Sequence, residues 1–548
     1  MPSLHHKTSP QNHAPQSTGK NIQHRGLQRY DTRGEKPKLC VSLMPRSLQQ
    51  LKEWLPQCEE ADLVEIRLDY LPGLDFKKIR PLTSKPLIAA LRSRREGGFW
   101  EGDPPEALSV LRKAGRAGVD YLDVELSSAE KILPKLKAES ARILLSHHAE
   151  TANPGRLRTL LKQMAEIPAD VYKLIFRAQS LHDNLIALEL METAKALQLE
   201  FIIHAQGEPG QPSRLLGAIR GNCWTYVSAD FAEETAPGQL SLHDALHHYG
   251  LPAKSPGTKI LGLVGSPIRQ SIGWRLHNRL IAQKISGKHS GGEAGNAANA
   301  PKDFLYLNFP ADHLDEFWLD WCESAAPGPA ALHGLSVTIP YKEKIVKHLN
   351  ELSTEVKISG VCNTVVREEQ GWKGYNTDLI ALETVLRSYR EELKSGGLVV
   401  GTGATARSAI VAMKRLEATP IFVIGRNIER GKLLADTFGI DFLDESEVHY
   451  ASAAVIVQAT PVGMAPYADK YPVGTALFRK DRVVLDVVYN PEETRFLQIA
   501  RERGCITISG VEMFLIQAAK QFELFTGIPA ALEEVREAWK DIAGRAGS

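Results

Sequence analysis

The sequence is short of cysteine, has no long apolar run and has almost no excess of either charge. Its six cysteines, Cys40, Cys58, Cys223, Cys322, Cys362 and Cys505, are scattered and form no C-x-x-C pair. That spacing argues against a structural zinc site or a disulfide framework and fits a reducing compartment. No stretch approaches the roughly 20 apolar residues that a membrane helix requires, and the N-terminus has no apolar core of the secretory type. With 66 basic and 65 acidic residues the formal net charge is +1, so no global field draws the chain to nucleic acid or to an anionic membrane. Any anionic ligand must be held by a local site. These exclusions lead us to expect a soluble, cytoplasmic protein with small-molecule partners only; a plastid is the alternative if the N-terminal tail is a transit peptide.

At 548 residues, 43% of them hydrophobic, the chain is long enough for two or three packed domains. Residues 1–37 are rich in His, Gln, Ser and Pro and cannot form a core, so a disordered tail is expected. From residue 38 to about 250, eight β-rich runs recur: 39–44, 62–70, 86–92, 121–126, 142–148, 171–176, 200–205 and 224–229. Helix-spaced apolar residues at 104–116, 154–165 and 180–197 lie between them, the signature of a (β/α)8 barrel. The stretch 251–258, LPAKSPGT, breaks the pattern and reads as a linker. An α/β unit is expected over 259–380 and a second over 381–509, with helices at 510–546 returning to the first. The Gly/Ala/Asn-rich segment 286–300 reads as a surface loop.

In a barrel of this kind, the C-terminal ends of the strands carry the chemistry. Here those positions hold Glu65, Arg67, Arg92, Glu125 and His148, while Lys173 lies inside the apolar run VYKLIF. Burial and nearby cations would turn Lys173 into a neutral amine able to form an imine with a ketone. An imidazole suits the proton transfers that follow, although His147 and His148 are not separated by this argument alone.

The pieces VSLM (41–44), VEIRLD (64–69), LRSRREGG (91–98), DVEL (123–126), SHH (146–148), YK (172–173), PSRLLG (212–217) and TAPGQ (235–239) resemble type I 3-dehydroquinate dehydratases in family order. The resemblance implies that Lys173 forms the imine, His148 is the acid/base and Glu125 orients it. It also implies that Ser42, Glu65, Arg67, Arg92, Arg214, Thr235 and Gln239 hold the substrate.

Further on, GTGATA (401–406) follows a β-rich run and opens a helical segment, the context of a dinucleotide fingerprint. About 24 residues later stand Arg426 and Arg430 where an NAD site would place an acid, so NADP is expected. The motifs GSPIRQS (265–271), SVTIPYK (336–342), GVCNT (360–364), GYNTD (374–378), ATPVGM (459–464), DVVYNP (486–491) and the segment from Gly510 are similar to those of shikimate dehydrogenases. By that resemblance Lys342 and Asp378 are the catalytic pair, and Ser271, Gly273, Thr338, Asn363, Tyr489 and Gln517 face the substrate. Gly401, Thr402, Gly403, Ala404 and Thr405, with Arg426, Arg430, Thr460, Met464 and Gly510, line the cofactor site. The family pattern has a second serine and then proline where this chain has Gly273 and Trp274, which removes one hydroxyl from the substrate carboxylate. The resemblances together imply an α/β protein: an N-terminal (β/α)8 barrel followed by a two-lobed shikimate dehydrogenase-like unit with a Rossmann-type NADP domain. The function they imply is dehydration of 3-dehydroquinate followed by NADPH-dependent reduction of 3-dehydroshikimate. A quinate dehydrogenase fused to the dehydratase, and a metabolite sensor that has lost catalytic groups, are the competing readings; retention of all five catalytic side chains argues against the sensor.

Overall fold

The computed structural model describes residues 36–136, 139–232, 236, 238–268, 271–285, 303–323, 332–444, 446–447 and 451–543. The expected tail up to residue 35 and the expected loop at 286–300 lie outside the described residues, as does Thr235. Three sheets organise the chain.

The first contains β1 (Leu39–Leu43), β2 (Leu63–Arg67), β3 (Leu87–Ala90), β4 (Tyr121–Glu125), β5 (Arg142–Ala149), β6 (Val171–Arg177), β7 (Phe201–Gln206), β8 (Thr225–Ser228) and the short β9 (Leu240–Ser241). The strands are parallel and sequential, with β1 pairing both β2 and β8. Between β7 and β8 the ladder reduces to one bridge, Phe201 to Asn222, and the Asn222 side chain bonds both polar groups of the Ile203 backbone. That amide closes the barrel where regular pairing fails. Helices at Pro104–Arg116, Pro154–Ala165 and Asp183–Ala196 occupy the expected crossovers.

Alternation along each strand divides the side chains between two environments. On β6, Tyr172, Leu174 and Phe176 join the outer core beneath the helices, whereas Val171 and Ile175 join a smaller apolar cluster inside the barrel. Lys173 shares the phase of the inner set. On β4, Leu122 and Val124 face the helices, leaving Tyr121, Asp123 and Glu125 inside. A run that reads as nearly uniformly apolar thus hides one polar position among inward residues.

The second sheet comprises β10 (Lys259–Gly265), β11 (Phe304–Pro310), β12 (Leu332–Val337), β13 (Glu351–Leu352), β14 (Thr364–Glu368) and β15 (Gly371–Tyr375), in the order β11-β10-β12-β14-β15-β13. It is parallel at β10 and turns antiparallel between β12, β14 and β15. The helices Gly510–Thr526 and Leu532–Ala543 pack with β10 and with the helix Gly273–Lys284 around Leu261, Leu276, Phe514 and Phe525.

The third sheet is wholly parallel: β16 (Gly397–Val400), β17 (Ile421–Ile424), β18 (Asp441–Phe442), β19 (Val455–Gln458), β20 (Val483–Asp486) and β21 (Ile506–Ile508). Its order, β18-β17-β16-β19-β20-β21, is that of a Rossmann sheet, with the strand order reversing beside β16. The connection at 251–258 is a packed turn rather than a slack tether. Leu251 is buried, and Lys254 donates to Asp303 and to the Phe304 carbonyl, both at 2.9 Å.

Candidate active sites

Inside the barrel Lys173 is 4% exposed, which settles its direction. Its Nζ donates to Asp123 Oδ2 at 3.0 Å, Tyr226 Oη at 3.2 Å and Glu65 Oε2 at 3.3 Å, and it lies 4.4 Å from the centre of the Tyr226 ring. The cations expected at the amine are replaced by two carboxylates. The nearest cation stands one step away: Arg92 donates to the same Asp123 oxygen at 2.7 Å and also to Ser146 Oγ at 2.9 Å. Burial raises the Asp123 carboxyl, but Arg92 and then Lys173 outweigh it and hold the group below its ordinary range. Glu65 is lowered in the same way, burial being overcome chiefly by Lys173, and its other oxygen accepts from Ser42 at 2.8 Å. A charged pair so deep in a barrel is stable only because every oxygen has such a partner.

The carboxylate on His148 is Glu96, which corrects the expectation of Glu125. Glu96 Oε2 accepts from both the backbone N–H and Nδ1 of His148 at 3.0 Å, and His147 Nδ1 lies 3.2 Å from Oε1. Glu125 instead accepts from the Ser93 backbone at 2.8 Å and from Arg92 at 3.3 Å. The reason is geometric: Glu96 follows Arg92 by one turn at the mouth of β3 and reaches across to β5. Burial would raise Glu96, but the two histidines and Arg92 hold it at about 2. An ionised carboxylate only accepts, so His148 carries its proton on Nδ1 and offers a bare Nε2. Burial, reinforced by Arg92, lowers the His148 imidazole to about 4 despite Glu96, leaving it neutral near pH 7.

Arg214 is 2% exposed and donates to the Tyr226 carbonyl at 3.3 Å. Arg67 forms a two-pronged pair with Asp69 at 2.7 and 2.8 Å, so it reaches the barrel mouth already engaged. Gln239 is buried just before β9. Sequence reasoning also missed His204, buried on the inner face of β7. Its imidazole is driven well down by burial and by Arg214, and its Nδ1 lies 3.0 Å from the Ala205 carbonyl. A histidine inside an apolar run was the available signal.

In the second unit Lys342 donates to Asp378 Oδ2 at 2.6 Å. Lys342 follows β12, and Asp378 lies in the first turn of the helix Thr377–Leu386. Asn363 ties this helix to the sheet, accepting from the Thr377 backbone at 2.8 Å and donating to Thr377 Oγ1 at 2.9 Å. Thr377 Oγ1 in turn reaches Gln517 Oε1 at 3.5 Å. One turn away on the helix of Gln517, Phe514 stacks on Tyr489 at 4.2 Å, and Ser271 hydrogen-bonds the Tyr489 phenol. Thr338 is anchored through its backbone N–H to the Val264 carbonyl at 3.0 Å. The expected substrate residues thus converge on one end of the second sheet, where β10 and β12 finish and β14 begins, and on the returning C-terminal helix.

The turn after β16 is built to admit a dinucleotide. Gly401 has φ +121, and a Cβ there would press on Ala459 and Thr460. Beside Gly403 there is open space, and the helix Ala404–Arg415 begins with no side chain capping its N–H groups, as a pyrophosphate site requires. Thr402 packs towards Gly425, while Ala404 and Thr405 form the first helical turn. Thr460 and the partly exposed Met464 follow β19, and Gly510 approaches the Val488 carbonyl too closely for any side chain. Arg426 is exposed at the end of β17, whereas Arg430 is already paired with Glu343 at 2.8 Å. These residues fit NADP, with Arg426 the guanidinium open to its 2′-phosphate.

Residues 39–256 match the type I 3-dehydroquinase family, residues 263–365 the shikimate dehydrogenase substrate binding domain, and residues 510–538 the shikimate 5′-dehydrogenase C-terminal domain. The chloroplastic bifunctional 3-dehydroquinate dehydratase/shikimate dehydrogenase of Arabidopsis thaliana is 31% identical over 527 residues, covering 90% of this chain and 83% of that one. The chain belongs to this bifunctional family. A shikimate dehydrogenase (NADP(+)) of Methanococcus aeolicus is 30% identical over 298 residues, which are 52% of this chain and 98% of the relative. The solved dehydroquinate dehydratase and shikimate dehydrogenase from S. pombe covers 92% of this chain and 98% of its own at 23% identity, with a TM-score of 0.39. In family terms the barrel is the dehydratase, and the two later sheets form the dehydrogenase. No described helix is long and apolar enough to cross a membrane.

Proposed function

We propose that Lys173 and His148 dehydrate 3-dehydroquinate in the barrel, and that Lys342 and Asp378 serve the reduction of the resulting 3-dehydroshikimate to shikimate. The observation that carries this reading is the pair of separate lysine centres, one ringed by carboxylates within a barrel and one paired with a single aspartate beside a dinucleotide fold.

In the first centre Asp123 and Glu65 are within reach of the proton that must leave Lys173 before attack. The freed amine adds to the substrate ketone, and loss of water forms the imine. The imine acidifies the adjacent C–H; His148 Nε2 takes that proton and returns it to the departing hydroxyl, which leaves as water. Hydrolysis of the imine then releases the product and restores Lys173. Arg214, buried on the helix Gln211–Ile219 and donating to the Tyr226 carbonyl, is suited to hold the substrate carboxylate.

In the second centre bound NADPH supplies the hydride. Lys342 stabilises the negative charge developing on the carbonyl oxygen and delivers a proton to it, while Asp378, 2.6 Å away, holds the lysine in place. Gly401, Gly403 and the first turn at Ala404 and Thr405 hold the pyrophosphate, and Arg426 the 2′-phosphate. The units serving these steps are the barrel at 38–250, the substrate unit at 259–380 with the helices from 510, and the cofactor unit at 381–509. The free cysteines among the described residues suit a reducing compartment, the cytoplasm in our reading. Supplying purified protein with 3-dehydroquinate and NADPH should yield shikimate with matching loss of NADPH absorbance. Accumulation of 3-dehydroshikimate with NADPH untouched would refute the second half.

A further inference from the structure

The helix Gly273–Lys284 starts two residues after Ser271, which touches Tyr489. Its second residue, Trp274, meets the barrel. The indole stacks on Tyr249 with ring centres 4.7 Å apart and planes 13° from parallel, and meets His248 edge-on at 5.8 Å. Tyr249 is 2% exposed and ends the last barrel segment before the connecting turn. Trp274 packs against both the barrel core and the core of the substrate unit. Its neighbour Arg275 covers the indole at 5.1 Å and lies 3.6 Å from Asp244 Oδ1, the oxygen that also holds His248 Nδ1 at 2.5 Å.

The entry to this helix is therefore gripped on one side by barrel side chains and on the other carries Ser271 to Tyr489. A stacked aromatic pair flanked by an ion pair fixes the orientation of a helix start more tightly than apolar contact alone. We infer that Trp274 is a positioning residue of the dehydrogenase: docked on Tyr249, it sets the helix entry that presents Ser271, so shikimate recognition depends on a barrel residue outside both catalytic centres. The inference rests on the assignment of Ser271 to the substrate pocket.

The test uses the full chain with Tyr249→Leu, Trp274→Ala, Trp274→Phe and Ser271→Ala, assaying shikimate oxidation, the KM for NADP+ and the dehydratase separately. Tyr249→Leu and Trp274→Ala should each raise the KM for shikimate about three- to tenfold, with kcat, the KM for NADP+ and the dehydratase nearly unchanged. Trp274→Phe should recover most of the loss, and the double variant Tyr249→Leu/Trp274→Ala should be no worse than either single change, because both break one contact. If Ser271→Ala raises the KM while Tyr249→Leu does not, the coupling is wrong and the pocket assignment stands. If Ser271→Ala leaves the KM unchanged, the pocket assignment fails and the coupling with it. Parallel loss of both activities and of NADP+ affinity in Tyr249→Leu would show a merely structural contact and overturn the inference.

Discussion

A lysine held by two carboxylates and a tyrosine ring can be a structural knot or a nucleophile, and covalent trapping separates them. Borohydride added with 3-dehydroquinate should leave ligand mass on the peptide containing Lys173; an unlabelled, fully active enzyme would rule out the imine. His148→Ala should still trap ligand but lose turnover by about 10²–10⁴-fold, the usual contribution of an acid/base group. Retained turnover would pass the role to His147, which shares Glu96. Lys173 and His148 were legible in sequence because each is a polar residue in an apolar run. Glu96 was not, since its partner lies 52 positions away and only the closure of β3 towards β5 joins them. Asp123 was hidden likewise, one inward step before the more conspicuous Glu125. Gly273 gives a second test at this scale: a Cβ there meets nothing nearer than Ser271 Oγ at 3.6 Å. Gly273→Ser should fit without strain and add a hydrogen bond to the substrate carboxylate, worth about 1.5–3 kcal/mol for a charged acceptor. The KM for shikimate should fall, and the preference for shikimate over quinate should change. If neither moves, Gly273 lies outside the carboxylate pocket.

At the scale of elements, periodicity placed the eight barrel strands because each is short, β-branched and bounded by turn residues. It could not show that the seam between β7 and β8 is closed by the Asn222 side chain, since a single amide leaves no pattern. The Rossmann sheet was legible from its glycine turn, but the two arginines after β17 looked equivalent and are not. Arg430 is occupied by Glu343, the residue after Lys342, whereas Arg426 is exposed. Arg426→Ala should therefore raise the KM for NADP+ at least tenfold with little effect on NAD+, and Arg430→Ala should do less. An unchanged NADP preference in Arg426→Ala would misplace the phosphate site. In the same sheet β20 ends in Asp486, whose carboxyl burial pushes up to about 7 although Thr494, Val488 and Gln458 donate to it. A carboxyl raised in the fold contributes stability at acid pH that is lost as pH rises through its folded value. Thermal melts at pH 5 and pH 8 should show Asp486→Asn gaining on wild type at the higher pH; a constant difference would mean that Asp486 stays ionised throughout.

In the whole molecule the first product is the second substrate, and the two enzymes share more than a tether. One continuous apolar core runs from the barrel strands to Val264, Phe309 and Leu335 of the second sheet. Lys254 crosses the same junction, 5% exposed, with its ammonium shared between Asp303 and the Phe304 carbonyl. The prolines and glycine of 251–258 announced a boundary, but the burial of a lysine within it depends on β11 arriving about fifty residues later. Removing that ammonium leaves the buried Phe304 carbonyl without its donor and Asp303 with only Thr258 and the Phe304 N–H, a loss of about 1–3 kcal/mol. Because the junction belongs to both units, Lys254→Met should lower the temperature at which dehydratase activity is lost and the temperature at which dehydrogenase activity is lost together. A shift of several degrees in each is expected on the scale of roughly 2–4 °C per kcal/mol for units of this size. Activity remaining after timed heating, measured for both reactions in the same samples, decides the matter. If the variant loses only the dehydrogenase early while the barrel keeps its wild-type resistance, the junction stabilises one unit alone, and the shared core does not couple the two in unfolding.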